Sequence, residues 1–305
     1  VYKVAVPAPA QAPVASTTDQ TQEQVSGMET GDHTRREQTY TFLLTCPDQV
    51  SGNADAIMLV TYDVPNQKVG MLSIPRDTLV DQSTPKINSS LHGGIENLQS
   101  VVSDLVGYPI DFYINIDLDG FVELVDAVGG VDFNVPIDME YEDFPQALYI
   151  SSEAGMQHLD GQKAMGAVRS RHDNSDSPNY EAHPWYSDVQ RGQFQRQLLV
   201  ELAKKVISWN SIPKVTSLLE LFNTYNDTDL SMPDMLYLAT KDMEVDVSTA
   251  IEQGNLEGRG EGVVNGYKYC FVYEAEDILP VLNEQVNPYN MPLTEEDLHL
   301  MKADS

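Results

Sequence analysis

Three short stretches combine residue type and spacing in a way that suits binding of an anion. In the first, Ala56–Asp63 and Val69–Ile74 read as two strands of a hairpin around a Val64–Lys68 loop. If Asp63 pairs with Val69, Asp55 falls opposite Asp77 and beside Arg76, and directly opposed residues lie about 5 Å apart. An acid–base–acid cluster at one end of the hairpin is then expected. Solvated charges at a hairpin end are the plainer alternative. Against that, Ile74-Pro75 halts the ladder abruptly and Arg76-Asp77-Thr78 follow at the strand end, where α/β proteins place ligands. In the second stretch, Arg169 and Arg171 stand two residues apart; in an extended segment they point to one side and could grip one phosphate with forked donors. In the third, Arg191, Gln195, Leu198 and Leu202 recur at helical spacing, bordered by Phe194, Leu199 and Val206. That face is polar at its head and oily below. It suits an ordinary core helix, and equally a ligand with a charged head and a greasy tail.

Other chemistries lack their signatures. There is no HExxH, CxxC or close His pair, so zinc is not expected, and no GxSxG, P-loop or GxGxxG. The loop Asp173–Ser187, which follows His172 and contains His183, is rich in Asn, Ser and Asp, and oxygen ligands suit Mg²⁺, a usual partner of pyrophosphate. The 305 residues carry 47 acidic and 18 basic side chains, net −29, a field that repels nucleic acid and anionic headgroups. Against this background Arg76, Arg169, Arg171, Arg191 and Arg196 cluster in tight motifs, which points to an anion held specifically. Cys46 and Cys270 permit one disulfide or two buried thiols. No apolar run reaches the length of a membrane span.

The elements that must position these residues follow from periodicity. Residues 1–38 are rich in Pro, Ala, Gln, Thr and Ser and read as a flexible linker. Strands are expected over Tyr40–Leu44, Ala56–Asp63, Val69–Ile74, Phe112–Ile116 and Val131–Val135. Helices are expected over Gly94–Val106, Leu118–Val128, Leu159–Val168 and Asp188–Ser208. Beyond residue 208 come helices over Ile212–Phe222, Pro233–Met243 and Glu274–Glu284, with short strands at Val263–Val264 and Tyr267–Tyr273. The class is α/β: a mixed sandwich with helices covering a central sheet. Residues 39–208 are expected to form its main unit, and 209–305 a helical and β extension packed on the same domain.

Several of these stretches, in this order, resemble the LytR-CpsA-Psr family: Ala54–Val60, Ser73–Thr78, Lys86-Ile87-Asn88 and Gly93-Gly94. The resemblance continues with Asp111-Phe112-Tyr113, Phe121, Leu124–Val131, Leu159-Asp160-Gly161, Arg169-Ser170-Arg171 and Arg191–Gln197. It spans about residues 40 to 208. It implies an α/β/α sandwich with a central mixed sheet, residues 39–208 as the catalytic domain, a hydrophobic tunnel for a polyprenyl chain and a cell-envelope address, in a Gram-positive bacterium, behind an N-terminal membrane anchor. The implied reaction is transfer of wall teichoic acid, capsule or a related glycopolymer from undecaprenyl pyrophosphate to peptidoglycan. By position, Arg76, Arg169, Arg171, Arg191 and Gln195 would hold the pyrophosphate. Arg76 and Asp77 would serve the reaction, Phe194, Leu198 and Leu202 the lipid, and Asp55 with Asp48 a Mg²⁺ ion.

The chain departs from the family at three places: Thr45-Cys46-Pro47-Asp48 replaces the usual Gly-x-Asp, Gln190 stands where Gly is common, and Phe194 where Arg is common. Two other functions remain open at this point. One is a pyrophosphatase using the same residues with water as acceptor; the other is a non-catalytic polyprenyl-lipid binding protein.

Overall fold

Alternation along the first strand sends Leu43 to one side of a sheet and Phe42 and Leu44 to the other, so both faces need covering. The computed structural model describes residues 7–11, 33–47, 51–82, 85–143, 148–170, 188–207, 212–242, 250–258, 261–264 and 267–301. Its first half runs β1 Thr39–Pro47, β2 Ala54–Asp63, β3 Lys68–Ser73, α1 Ile95–Val106, β4 Phe112–Asn115, α2 Leu118–Ala127, β5 Val131–Val135, β6 Met139–Asp143, β7 Leu148–Ser152 and β8 Gly155–Leu159. It continues with α3 Gly161–Arg169, α4 Asp188–Ile207, α5 Ile212–Tyr225, β9 Asp227–Thr228, α6 Met232–Asp242, β10 Ile251–Asn255, β11 Glu261–Val264, β12 Tyr267–Phe271 and α7 Ala275–Val281. No described helix is long and apolar enough to cross a membrane.

The central sheet has the order β10-β3-β2-β1-β4-β9. β2 is antiparallel to β1 and β3, while β4 and β10 lie parallel to β1 and β3 respectively. One face packs Leu43, Ile57, Leu59 and Leu72 against Leu98, Val102 and Leu105 of α1 and Ile278 of α7. The other packs Met58 and Met71 against Val200 of α4, and Phe42, Tyr62 and Phe112 against Met235 and Leu238 of α6. The expected α/β/α sandwich is therefore present. A further core, including Val125, Phe133, Leu159, Ala164 and Phe194, joins α2, α3, α4 and the β5–β8 pair.

Several local expectations need correction. The hairpin register is one residue shorter than the pairing of Asp63 with Val69: Asp63 pairs with Lys68 and Met58 with Ser73. The cause is a tight turn in which the Gln67 N–H donates to the Val64 carbonyl at 3.2 Å and Gln67 takes a left-handed φ of 52°. Leu159 ends β8, paired with Val131, and is not helical. The helix begins after Asp160, whose carboxylate accepts from the Lys163 N–H at 2.9 Å. The expected helix over Glu274–Glu284 stops at Val281, just past Pro280, and passes into a π turn, Leu282–Val286. Its backbone is pressed against β3, where a Cβ at Gly70 would lie 1.7 Å from the Gln285 carbonyl oxygen.

The linker expected over 1–38 includes segments docked on the body. Arg35 forms a buried ion pair with Asp111, whose Oδ2 also accepts from the Thr41 N–H at 2.7 Å. Arg36 donates to the Tyr289 and Asn287 carbonyls, each at 2.7 Å, and Gln11 Nε2 donates to the Arg36 carbonyl at 2.9 Å. Cys46 and Cys270 are separate, unbridged thiols.

Candidate active site

β1, β3, β4 and β10 all point the same way, and their carboxyl ends, with the start of β2, surround two adjoining cavities. The crevice beyond strand carboxyl ends is the usual ligand position in α/β sheets. The larger cavity holds about 840 Å³ of empty space, including its open mouth. Its wall is largely apolar, with Leu44, Met58, Ile116, Phe121, Leu198 and Leu199 prominent; Asp55, Arg169, Arg191 and Gln195 add polar groups. The smaller, about 440 Å³, is lined by Ser73, Arg76, Gly192 and Asn255, and shares Asp55, Arg191 and Gln195 with its neighbour. The arrangement is thus a cationic head on an oily barrel.

Each polar group owes its place to a local element. Asp55 opens β2, and Arg76 follows the Ile74-Pro75 break after β3; an ion pair joins Arg76 Nη1 to Asp55 Oδ1. The corrected register explains this partner, since it brings Arg76, not Asp77, opposite Asp55. Asp77 lines neither cavity and bonds to Lys86 Nζ at 2.9 Å. Arg169 is the last residue of α3. Arg191 is buried in the first turns of α4, and Gln195 one turn on donates from Nε2 to the Val168 carbonyl at 3.0 Å, tying α4 to α3. Arg171 and Asp48 lie outside the described residues.

The expected lipid-facing residues divide. Leu198 lines the apolar cavity. Phe194 and Leu202 point into the neighbouring core instead, Phe194 edge-on to Phe133 with ring centres 4.9 Å apart. The stripe Arg191, Gln195, Leu198, Leu202 is too wide for one cavity, so only its upper part reaches the site. Leu199, expected beside the helical face, also lines the apolar cavity; Leu44, Met58, Ile116, Leu118 and Phe121 are wall residues that periodicity did not single out, because they lie on or beside core strands and helices indistinguishable in sequence from their neighbours. Cys46 also lines this cavity, and burial first, with the nearby Asp55 charge, pushes its thiol up to about 12.

Among the described residues no group of three or more His, Cys, Asp or Glu side chains forms a metal centre. Mg²⁺, however, commonly takes one or two carboxylates and completes its shell with water and substrate phosphate. Asp55, at the junction of the two cavities, fits that sparser role.

Comparison with known proteins bears on the family and the fold. The polyisoprenyl-teichoic acid–peptidoglycan teichoic acid transferase TagV of Bacillus subtilis (strain 168) is 31% identical over 195 residues, 61% of this chain and 47% of TagV. The transferase of the same name called TagU from Bacillus mycoides (strain KBAB4) is 26% identical over 260 residues, 82% of this chain and 79% of TagU. The chain spans about half the length of the first two curated relatives it matches, 47% and 52%. The crystal structure of B. subtilis TagV superposes with a TM-score of 0.66 at 25% identity, covering 80% of this chain and 94% of that one. At 20% identity, the structure described as TagT bound to LI-WTA shares the fold, with a TM-score of 0.64 over 88% of this chain and 95% of that one. The model of the LytR_cpsA_psr family matches residues 8–286, beyond the 40–208 carried by the motifs and taking in the docked Arg35, β10 and the π turn, so the chain belongs to the LytR_cpsA_psr family.

Proposed function

We propose that this chain transfers a glycopolymer, of the teichoic acid class for which its relatives are named, from a polyprenyl-pyrophosphate carrier to peptidoglycan. One observation carries the reading: an arginine-lined cavity continues into an apolar one large enough for part of a lipid chain. The pyrophosphate sits at Arg76, Arg169, Arg191 and Gln195, with Arg171 of the same motif as a further donor. The first isoprene units lie against Leu198, Phe121 and Ile116. An acceptor sugar hydroxyl attacks the phosphorus that bears the glycan, a new O–P bond forms, and the bridging P–O bond breaks to release polyprenyl phosphate.

Negative charge grows on the phosphoryl oxygens and on the leaving group, so guanidinium groups fixed at the cavity wall favour the transition state over the ground state. A Mg²⁺ ion held by Asp55 would neutralise phosphate charge when bound. Asp48 is the second candidate ligand, and Asp77, through Lys86, steadies the Arg76 segment. The apolar barrel excludes water from the lipid side, which favours a sugar over water as acceptor. The reading implies a cell-envelope site of action beside a membrane, with an anchor N-terminal to these residues.

The test is incubation with a polyprenyl-pyrophosphate-linked glycan, Mg²⁺ and uncrosslinked peptidoglycan strands. Polymer joined to peptidoglycan, with Arg191→Ala slower by about a hundredfold, is the expected result. Pyrophosphate cleavage at the same rate without acceptor would replace transfer by hydrolysis. Tight lipid binding with no turnover would leave a carrier protein.

A further inference from the structure

Among the described residues, Arg196 is a buried cation without a counter-ion. It is 3% exposed, its Nη1 donates to Ser73 Oγ and Asn255 Oδ1, and its Nε is buried with no acceptor among the described residues. Both acceptors are neutral, and no described carboxylate pairs with it. Burial lowers its pKa to about 10, which leaves it charged at neutral pH. An unpaired interior charge is costly, and an apolar side chain of like size would serve stability better. A role as a staple between β3 and β10 is redundant, because Ser73 and Asn255 already pair in the ladder and the Leu256 N–H donates to the Ser73 carbonyl at 2.9 Å.

The surroundings indicate what the charge is for. Ser73, Asn255 and Gly192 all line the smaller cavity, which also holds Arg76 and Arg191. Gly192 packs directly on this pair: a Cβ there would be in van der Waals contact with Ser73 Oγ at 3.4 Å and Arg196 Nη1 at 3.7 Å. We infer that Arg196 is a positioning residue for the anionic end of the substrate: it supplies a positive charge from beneath the smaller cavity and holds the Ser73 hydroxyl and Asn255 amide at its wall. This rests on the reading of the cavity as a pyrophosphate site. The counter-ion missing among the described residues is then the substrate's own phosphate, and a low-dielectric path carries the field with little screening.

The experiment measures binding of inorganic pyrophosphate and of a short-chain polyprenyl pyrophosphate to the full chain, together with melting temperature, for the wild type, Arg196→Lys and Arg196→Met. Expected is a loss of tenfold or more for Arg196→Met that persists at high salt, binding largely kept in Arg196→Lys, and a melting temperature for Arg196→Met at or above that of the wild type. Normal wild-type binding with Arg196→Met equally tight overturns the inference alone. Equal weakening in both variants with a matching fall in melting temperature also overturns it, in favour of a purely structural role. A wild type that binds neither ligand overturns the pyrophosphate reading, and this inference with it.

Discussion

Cys46 shows how much an individual side chain is governed by what surrounds it. It stands in the apolar cavity near Asp55, and its thiol is pushed up to about 12, chiefly by burial. A raised pKa keeps the reactive thiolate scarce at neutral pH. In a Cys270→Ser background, alkylation by iodoacetamide should therefore be slow at pH 8. Its rate should keep climbing with pH past the range where an ordinary cysteine levels off, measured by mass spectrometry of the intact chain; a plateau near pH 9 would show the thiol to be solvated. At this scale the motifs pointed to Arg76, Arg169, Arg191, Gln195 and Asp55 as a neighbourhood, and these residues do line the paired cavities. The partner of Asp55 was beyond reach, because a one-residue change in turn geometry exchanges Arg76 for Asp77. Arg196 was visible only as one more arginine in a motif; its lack of a counter-ion among the described residues is a property of packing.

Elements with strong periodicity were legible: α1, α2, α4, β2 and β3 lie within a residue or two of their expected bounds. The strands β6, β7 and β8 were not, since they are short and rich in polar residues, Met139–Asp143 holding Glu140, Glu142 and Asp143; β6 and β7 gain order by pairing with each other, and β8 by pairing with β5. β10, Ile251–Asn255, has a single large apolar residue and becomes a strand because β3 offers it an open edge. The segment before β1 reads as a tether by composition, yet Arg35 and Asp111 meet there with side chains only 6% and 0% exposed. Replacing Arg35 by Ala strands a buried carboxylate, so the folded state should lose about 3–5 kcal/mol in urea unfolding. A loss under 1 kcal/mol would mean that the segment is not held by this pair.

For the whole molecule, the proposed function has two cavities sharing a wall act on opposite ends of one ligand. Filling the oily one should leave the charged one working. Ile116→Trp, which puts an indole into the larger cavity, is expected to abolish binding of a long-chain polyprenyl pyrophosphate while inorganic pyrophosphate binds within a few-fold of wild type; parallel loss of both would show that the cavities are not separable. The wall between them leans on α4, which turns Arg191, Gln195 and Leu198 to the cavities, Phe194 and Leu202 to the neighbouring core, and Gly192, Arg196 and Val200 to the sheet. A single rod with three obligations has no slack. A substitution that rotates it to suit a longer or bulkier lipid also swings the anion donors and opens two cores. Adaptation to a new carrier must therefore come through the opposite wall, from Ile116, Leu118 and Phe121, where a residue can change size without moving the charges.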